Sequence, residues 1–164
     1  MFNRNHDLSS VVKGKILQSK PVAGGDIGSS FRVKTTEGDY FVKRYATKGL
    51  PGMEARGLRA MADTESITIA EVVNFDEHFL VLKFIEQSPK CRDFQTLLGR
   101  GLAHMHKISS ESAANFGWPE DNYIGSIPQK NSLKSDVEAA GWTEFFIENR
   151  IGYQIELASD SSLT

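Results

Sequence analysis

Glycines, a lysine and a glutamate occur in this chain in an order suited to gripping a nucleotide. Gly24-Gly25-Asp26-Ile27-Gly28-Ser29-Ser30-Phe31 is a glycine turn, and where side chains are missing, backbone amides can approach a phosphate closely. Lys43, inside Tyr40-Phe41-Val42-Lys43-Arg44-Tyr45, supplies an ammonium to neutralise that phosphate. Glu54 opens a helical stretch and can orient Lys43 through an ion pair. The attraction at contact is on the order of a few kcal/mol at an effective dielectric near 20, before desolvation is subtracted. Farther on, Phe79-Leu80-Val81-Leu82-Lys83-Phe84-Ile85-Glu86 reads as a strand. Backbone groups around Lys83, Phe84 and Ile85 would meet the edge of an adenine there, with Leu82 as the adjoining wall.

No His-x-Asp with a following Asn, and no Asp-Phe-Gly, comes after these residues. Phosphoryl transfer needs an aspartate near the acceptor hydroxyl and a divalent metal bridging the phosphates, so no catalytic residue and no metal ligand is assigned. Each part also has a plainer reading. Gly24 and Gly25 suit a simple hairpin, Lys43 an exposed strand position, Glu54 a helix N-terminus favoured by the macrodipole, and the Phe79 strand a piece of core. The order of the parts favours the nucleotide reading. His104 and His106 are two positions apart on a helix and point about 200° away from each other, which does not make a metal pair.

The elements that must position these residues follow from turn signals and periodicity. Ile16 to Ala23 and Ser30 to Thr35 read as strands flanking the glycine turn, and Glu37-Gly38-Asp39 as the reversal into a Tyr40 to Tyr45 strand. The two-residue period puts Phe41 and Lys43 on one face of that strand and Val42 and Arg44 on the other. After Pro51, Glu54 to Ala62 reads as a short helix with Met53, Gly57 and Met61 near one stripe and Leu58 beside it. Ile69 to Phe75 and Phe79 to Ile85 are further strands joined by Asp76-Glu77-His78. Glu86 to Lys90 has linker composition. Phe94, Leu97, Leu98, Gly101, Leu102, Met105 and Ile108 then follow helical spacing. Asn115 to Asn131 looks like a long structured loop, and a helix from about Lys134 to Leu157 follows it, weakened at Gly152.

A chain of 164 residues, 40% hydrophobic and 24% charged, can form one good core or two small lobes. Its formal charge of -2 leaves no concentrated basic surface for nucleic acid. No apolar run approaches the roughly eighteen residues of a membrane helix, and no membrane partner is expected. A lone cysteine, Cys91, cannot close an internal disulfide and favours a reducing compartment, so the expected location is cytoplasmic. Cys91 itself is expected as a half-buried small side chain.

Several strings together resemble the fructosamine kinase, or ketosamine-3-kinase, family within the protein-kinase-like and aminoglycoside-phosphotransferase-like group. They are Gly24-Gly25-Asp26-Ile27-Gly28, Phe41-Val42-Lys43, Glu54 to Ala62, Leu80-Val81-Leu82, Leu98 to His106, Asn115-Phe116-Gly117, Asp121 to Ser126, Trp142 to Phe146 and Arg150 to Gln154. The Asp-Asn-Tyr-Ile-Gly-Ser and Trp-x-Glu-Phe-Phe strings are more specific than the glycine turn.

The resemblance implies an α+β fold: a protein-kinase-like small lobe with a five-stranded antiparallel sheet and one main helix over residues 1–86. A linker over 87–92 and the helical start of an incomplete large lobe over 93–164 would follow. It further implies nucleotide binding by Gly24, Gly25, Asp26, Ile27, Gly28, Ser29, Lys43, Glu54, Leu82, Lys83, Phe84 and Ile85. A complete member uses ATP and Mg2+ to phosphorylate a sugar hydroxyl of a ketosamine, including glycated amines and proteins. The His-Gly-Asp and metal-binding segments of such a member have no match here, and Asn115-Phe116-Gly117 matches a structural string of the family. The isolated chain is therefore expected to be inactive. The alternative is a non-catalytic nucleotide-binding or interaction module that self-associates through its exposed large-lobe helices.

Overall fold

A computed structural model describes residues 8–22, 28–112, 116–125, 127–131 and 141–160. The chain divides into two compact units, residues 1–112 and 113–164. In the first, β1 (Ile16–Val22), β2 (Gly28–Thr35), β3 (Gly38–Tyr45), β4 (Val72–Phe75) and β5 (Phe79–Lys83) form one five-stranded sheet in the order β1-β2-β3-β5-β4. Every neighbouring pair is antiparallel, as expected.

The reversal between β2 and β3 sits one to two residues earlier than the glycine had marked it. Thr35 pairs with Gly38, and the Thr35 hydroxyl accepts the Glu37 amide at 3.1 Å and donates to the Gly38 carbonyl at 3.1 Å. Thr36 and Glu37 therefore make the turn, and Gly38 already belongs to β3. The two later strands are shorter than the expected 69–75 and 79–85. β4 is an edge strand with a register shift between Val72 and Asn74, and β5 ends at Lys83, opposite Tyr40 of β3. The sheet contacts persist just past that end, the Lys83 amide donating to the Glu71 carbonyl at 2.9 Å and the Phe84 amide to the Asp39 carbonyl at 3.0 Å.

The central strands are covered on both faces. Tyr40 and Val42 of β3 join Val33, Phe79 and Val81 in a core closed by Leu8, Val11 and Val12. On the other face Tyr45, Leu80 and Leu82, with Phe41 packed against them, meet Leu50 and Ala55 of α1 (Leu50–Asp63). This explains why β5 is a continuous apolar run: Phe79, Leu80, Val81 and Leu82 are all buried.

Helix α1 begins four residues before Glu54, with Pro51 in its first turn and Gly49 before it in the left-handed region at φ 83°. That early start shifts the buried stripe. Leu50, Pro51, Gly52 and Ala55 are buried, Met53 and Leu58 are partly buried, and Met61 is exposed. The expected Met53-Gly57-Met61 stripe is replaced because the helix phase is set by Leu50 and Pro51 against the sheet. Helix α2 (Phe94–Ser112) also belongs to this unit. Cys91, expected half-buried, is exposed, since it precedes α2 and packs into neither core cluster.

In the second unit the expected loop over 115–131 contains a hairpin of β6 (Asn122–Ile124) and β7 (Ile127–Gln129). Three residues per strand are too few for alternation to show, and Gly125 at φ 63° supplies the left-handed turn position. The single helix expected over 134–157 is three segments instead: α3 (Trp142–Phe146), a π turn (Ile147–Gly152) and α4 (Tyr153–Asp160). Residues 134–140 of that expectation lie outside the described residues. The weak point foreseen at Gly152 coincides with the end of the π turn.

Candidate nucleotide-binding site

Lys43 and Glu54 meet as the order of the sequence implied. The Lys43 ammonium donates to both carboxylate oxygens of Glu54, at 2.9 Å and 2.8 Å. Lys43 lies on the face of β3 that packs on α1, and the four-residue spacing of Leu50, Glu54 and Leu58 carries Glu54 onto the sheet-facing side of that helix. The plainer readings of both residues fail. The Lys43 side chain is only 28% exposed. No acidic residue occupies the first turn of α1, so Glu54 lies too far along to serve the helix dipole, an effect confined to that first turn.

An ammonium has three donors, and with two directed to Glu54 one remains for an anion. Tyr45 completes the arrangement. Its ring lies 5.0 Å from the Lys43 ammonium, and its hydroxyl donates to the Glu54 carboxylate. Burial, then the adjacent carboxylate, push the Tyr45 phenol far above its ordinary range, so it remains a neutral donor. Tyr45 was missed in the sequence, although the two-residue period from Lys43 places it on the same face.

Among the predicted glycine-turn residues, Gly24, Gly25, Asp26 and Ile27 lie outside the described residues. Gly28 opens β2 opposite Tyr45, and Ser29 is opposite Arg44, on the face away from Lys43. Ser30, not singled out by sequence, is opposite Lys43 and buried. Cross-strand register decides this, and a single sequence does not display it.

The predicted base-facing segment also resolves residue by residue. Leu82 is buried opposite Phe41. The Lys83 and Phe84 amides are taken by Glu71 and Asp39, while the Lys83 ammonium is exposed, 3.9 Å from Glu71. Ile85 is 59% exposed, and among the described residues neither its amide nor its carbonyl has a hydrogen-bond partner. The arrangement can hold an anion at Lys43 and offers an open backbone edge beyond β5.

Elsewhere, no three His, Cys, Asp or Glu side chains come together to hold a metal among the described residues. His104 pairs instead with the Ser66 hydroxyl at 3.0 Å. In the second unit, Phe116 and Gly117 of the Asn115-Phe116-Gly117 string pack on the aromatic residues of α3, with Phe116 to Trp142 centroids 5.6 Å apart.

A family model for fructosamine kinases matches residues 3–164. The chain belongs to the fructosamine kinase family. Among relatives, a chloroplastic protein-ribulosamine 3-kinase of Oryza sativa subsp. indica is 38% identical over 151 residues, covering 87% of this chain and 42% of that protein. Its counterpart from Arabidopsis thaliana is 38% identical over 147 residues, covering 85% and 43% respectively. The chain thus spans under half the length of these two curated relatives. The fold matches the crystal structure of a protein assigned as a fructosamine-3-kinase from Thermobifida fusca, with a TM-score of 0.77 at 24% identity, covering 99% of this chain and 56% of that one.

Proposed function

We propose that this chain holds the ATP-gripping part of a kinase that phosphorylates a sugar hydroxyl of a ketosamine. Lys43 holds nucleotide phosphates, Glu54 orients Lys43, and the Leu82, Lys83, Phe84 and Ile85 stretch meets the base. Residues 1–86 are the nucleotide lobe, 87–92 the linker and 93–164 the start of the substrate lobe. The observation that carries this reading is the two-point Lys43–Glu54 contact on the sheet face that also bears Leu82. The glycine turn, Gly24 to Gly28, would cover the phosphates.

ATP would supply the phosphoryl group, and the Lys43 ammonium fits its anionic phosphates. Mg2+ accompanies ATP in such enzymes, but the described residues offer no carboxylate cluster for it, and no step is assigned to it. The acceptor is a ketosamine or a glycated amine or protein. A cytoplasmic location is proposed from the lone cysteine, although the plant relatives are named chloroplastic.

Titration calorimetry of the chain with ATP and magnesium tests the reading. Binding should weaken at least about tenfold on Lys43→Ala, which removes a charge-assisted hydrogen bond, with little change in melting temperature. Transfer to a ketosamine should be slight, because the chain has no His-x-Asp segment. Absence of ATP binding, or robust transfer by homogeneous material of verified mass, would each overturn part of the proposal.

A second reading, self-association, is favoured by one observation. Leu97 of α2 is 58% exposed, and Trp142, Ile147 and Ile155 of the second unit are 54%, 53% and 60% exposed. These are apolar surfaces of a kind that mark interaction sites when contiguous.

A further inference from the structure

Arg32 lies on β2 opposite Phe41, on the same sheet face as Lys43, and resembles a second cation for phosphate. Its hydrogen bonds say otherwise. The guanidinium donates through Nε and Nη2 to one Asp39 carboxylate oxygen, at 3.2 Å and 2.6 Å. It donates through Nη1 to Glu86 at 3.3 Å and through Nη2 to the other oxygen of Glu86. Its carbon lies 4.0 Å from the centre of the Phe84 ring. All three nitrogens and one planar face are therefore committed within the chain. Lys34, 3.7 Å from Asp39, brings the group to two cations and two carboxylates, which leaves little net attraction for an incoming anion.

The contacts converge on the three residues after Lys83. Phe84 is fixed by its ring under Arg32 and by its amide on the Asp39 carbonyl, and Glu86 by its carboxylate on Arg32. Ile85 sits between them with both backbone groups open among the described residues. Holding its neighbours on each side restricts the direction in which that amide and carbonyl point.

We propose that Arg32 is a positioning residue: it clamps Phe84 and Glu86 and so fixes how the open backbone of Ile85 is presented to a nucleotide base. The role rests on the nucleotide reading given above and adds a determinant of base recognition separate from the phosphate grip of Lys43. A planar fork that also stacks is required, which lysine does not supply.

The test compares two probes on the whole chain. ATP reports base and phosphate together, and inorganic tripolyphosphate reports the phosphate grip alone. For Arg32→Gln and Arg32→Lys, ATP binding should weaken about fivefold, as expected from loss of one stacked cation and exposed ion pairs. Tripolyphosphate binding should stay at the wild-type value, and exchange of the Phe84 amide should accelerate. Lys43→Ala should weaken both probes. Glu86→Gln alters an exposed side chain and should shift ATP alone in the same direction by less; it carries the test if the Arg32 variants fail to fold. Wild-type ATP affinity in these variants, or equal loss of both probes, overturns the clamp. Failure of the wild-type chain to bind ATP better than tripolyphosphate overturns the base-binding reading itself and the clamp with it.

Discussion

Glu54 receives two partners of different kinds, the Lys43 ammonium and the Tyr45 hydroxyl, and this fixes the carboxylate more firmly than an ion pair alone. Tyr45→Phe keeps the ring beside the ammonium and removes only the hydroxyl. It should destabilise the fold by about 1–3 kcal/mol, the range for a partly buried hydrogen bond to a charged group, and weaken ATP binding less than Lys43→Ala does. Thermal melts and calorimetry of the two variants side by side check this. Asp39 makes a prediction about acid. The hydrogen bond from Arg32, helped by the charges of Lys34 and Arg32, holds its carboxyl below the usual aspartate range. A depressed folded value means that the contact stabilises above the unfolded value and is lost as pH falls through the folded one. Carboxyl-carbon NMR should therefore find Asp39 titrating at lower pH than an ordinary aspartate, and returning toward it in Arg32→Gln. At this scale the sequence disclosed Lys43 and Glu54 through their order. Arg32 stayed hidden because its partner Glu86 lies 54 residues away, and no local pattern links the two.

Among the elements, the sheet was legible wherever turn residues punctuated alternating strands, as between β2 and β3. The hairpin of β6 and β7 and the π turn at Ile147–Gly152 were not. The strands of the first are too short for a period, and the second preserves an apolar helical pattern while changing the hydrogen bonding. Helix α2 shows how two glycines in one element differ. A Cβ on Gly101 would lie 2.4 Å from Ile67 Cγ2 and 2.9 Å from the Ser66 carbonyl oxygen, whereas one on Gly99 would meet nothing within 4 Å. Gly101→Ala should destabilise by about 1–3 kcal/mol through overpacking against backbone. Gly99→Ala should stabilise by about 0.5–1 kcal/mol through helix propensity. Urea denaturation of both variants checks the opposite signs.

For the whole molecule, family membership and sheet architecture were readable because specific strings such as Trp142 to Phe146 and the ordered glycine, lysine and glutamate occur together. The chain's grouping into units of 1–112 and 113–164 was less so, since α2 carries the same helical signal whichever unit it joins. No helix among the described residues is long and apolar enough to cross a membrane. The apolar side chains exposed on α2 and in the second unit give an expectation for the protein in solution. Its weight-average mass in sedimentation equilibrium should rise with concentration, and substituting Leu97 and Trp142 with polar residues should reduce that rise while leaving ATP binding unchanged. A constant monomer mass across a broad concentration range would remove the association reading.

The chain separation of these contacts also bears on the sequence of events during folding. Lys43 and Glu54 are eleven residues apart, while Arg32 and Glu86 are separated by 54. By loop-closure entropy alone, the longer connection is roughly 1.4 kcal/mol harder to close. A growing or refolding polypeptide should thus acquire its grip on anions before it acquires an ordered edge for the base. An intermediate caught between the two steps would hold polyphosphate without discriminating one nucleotide from another.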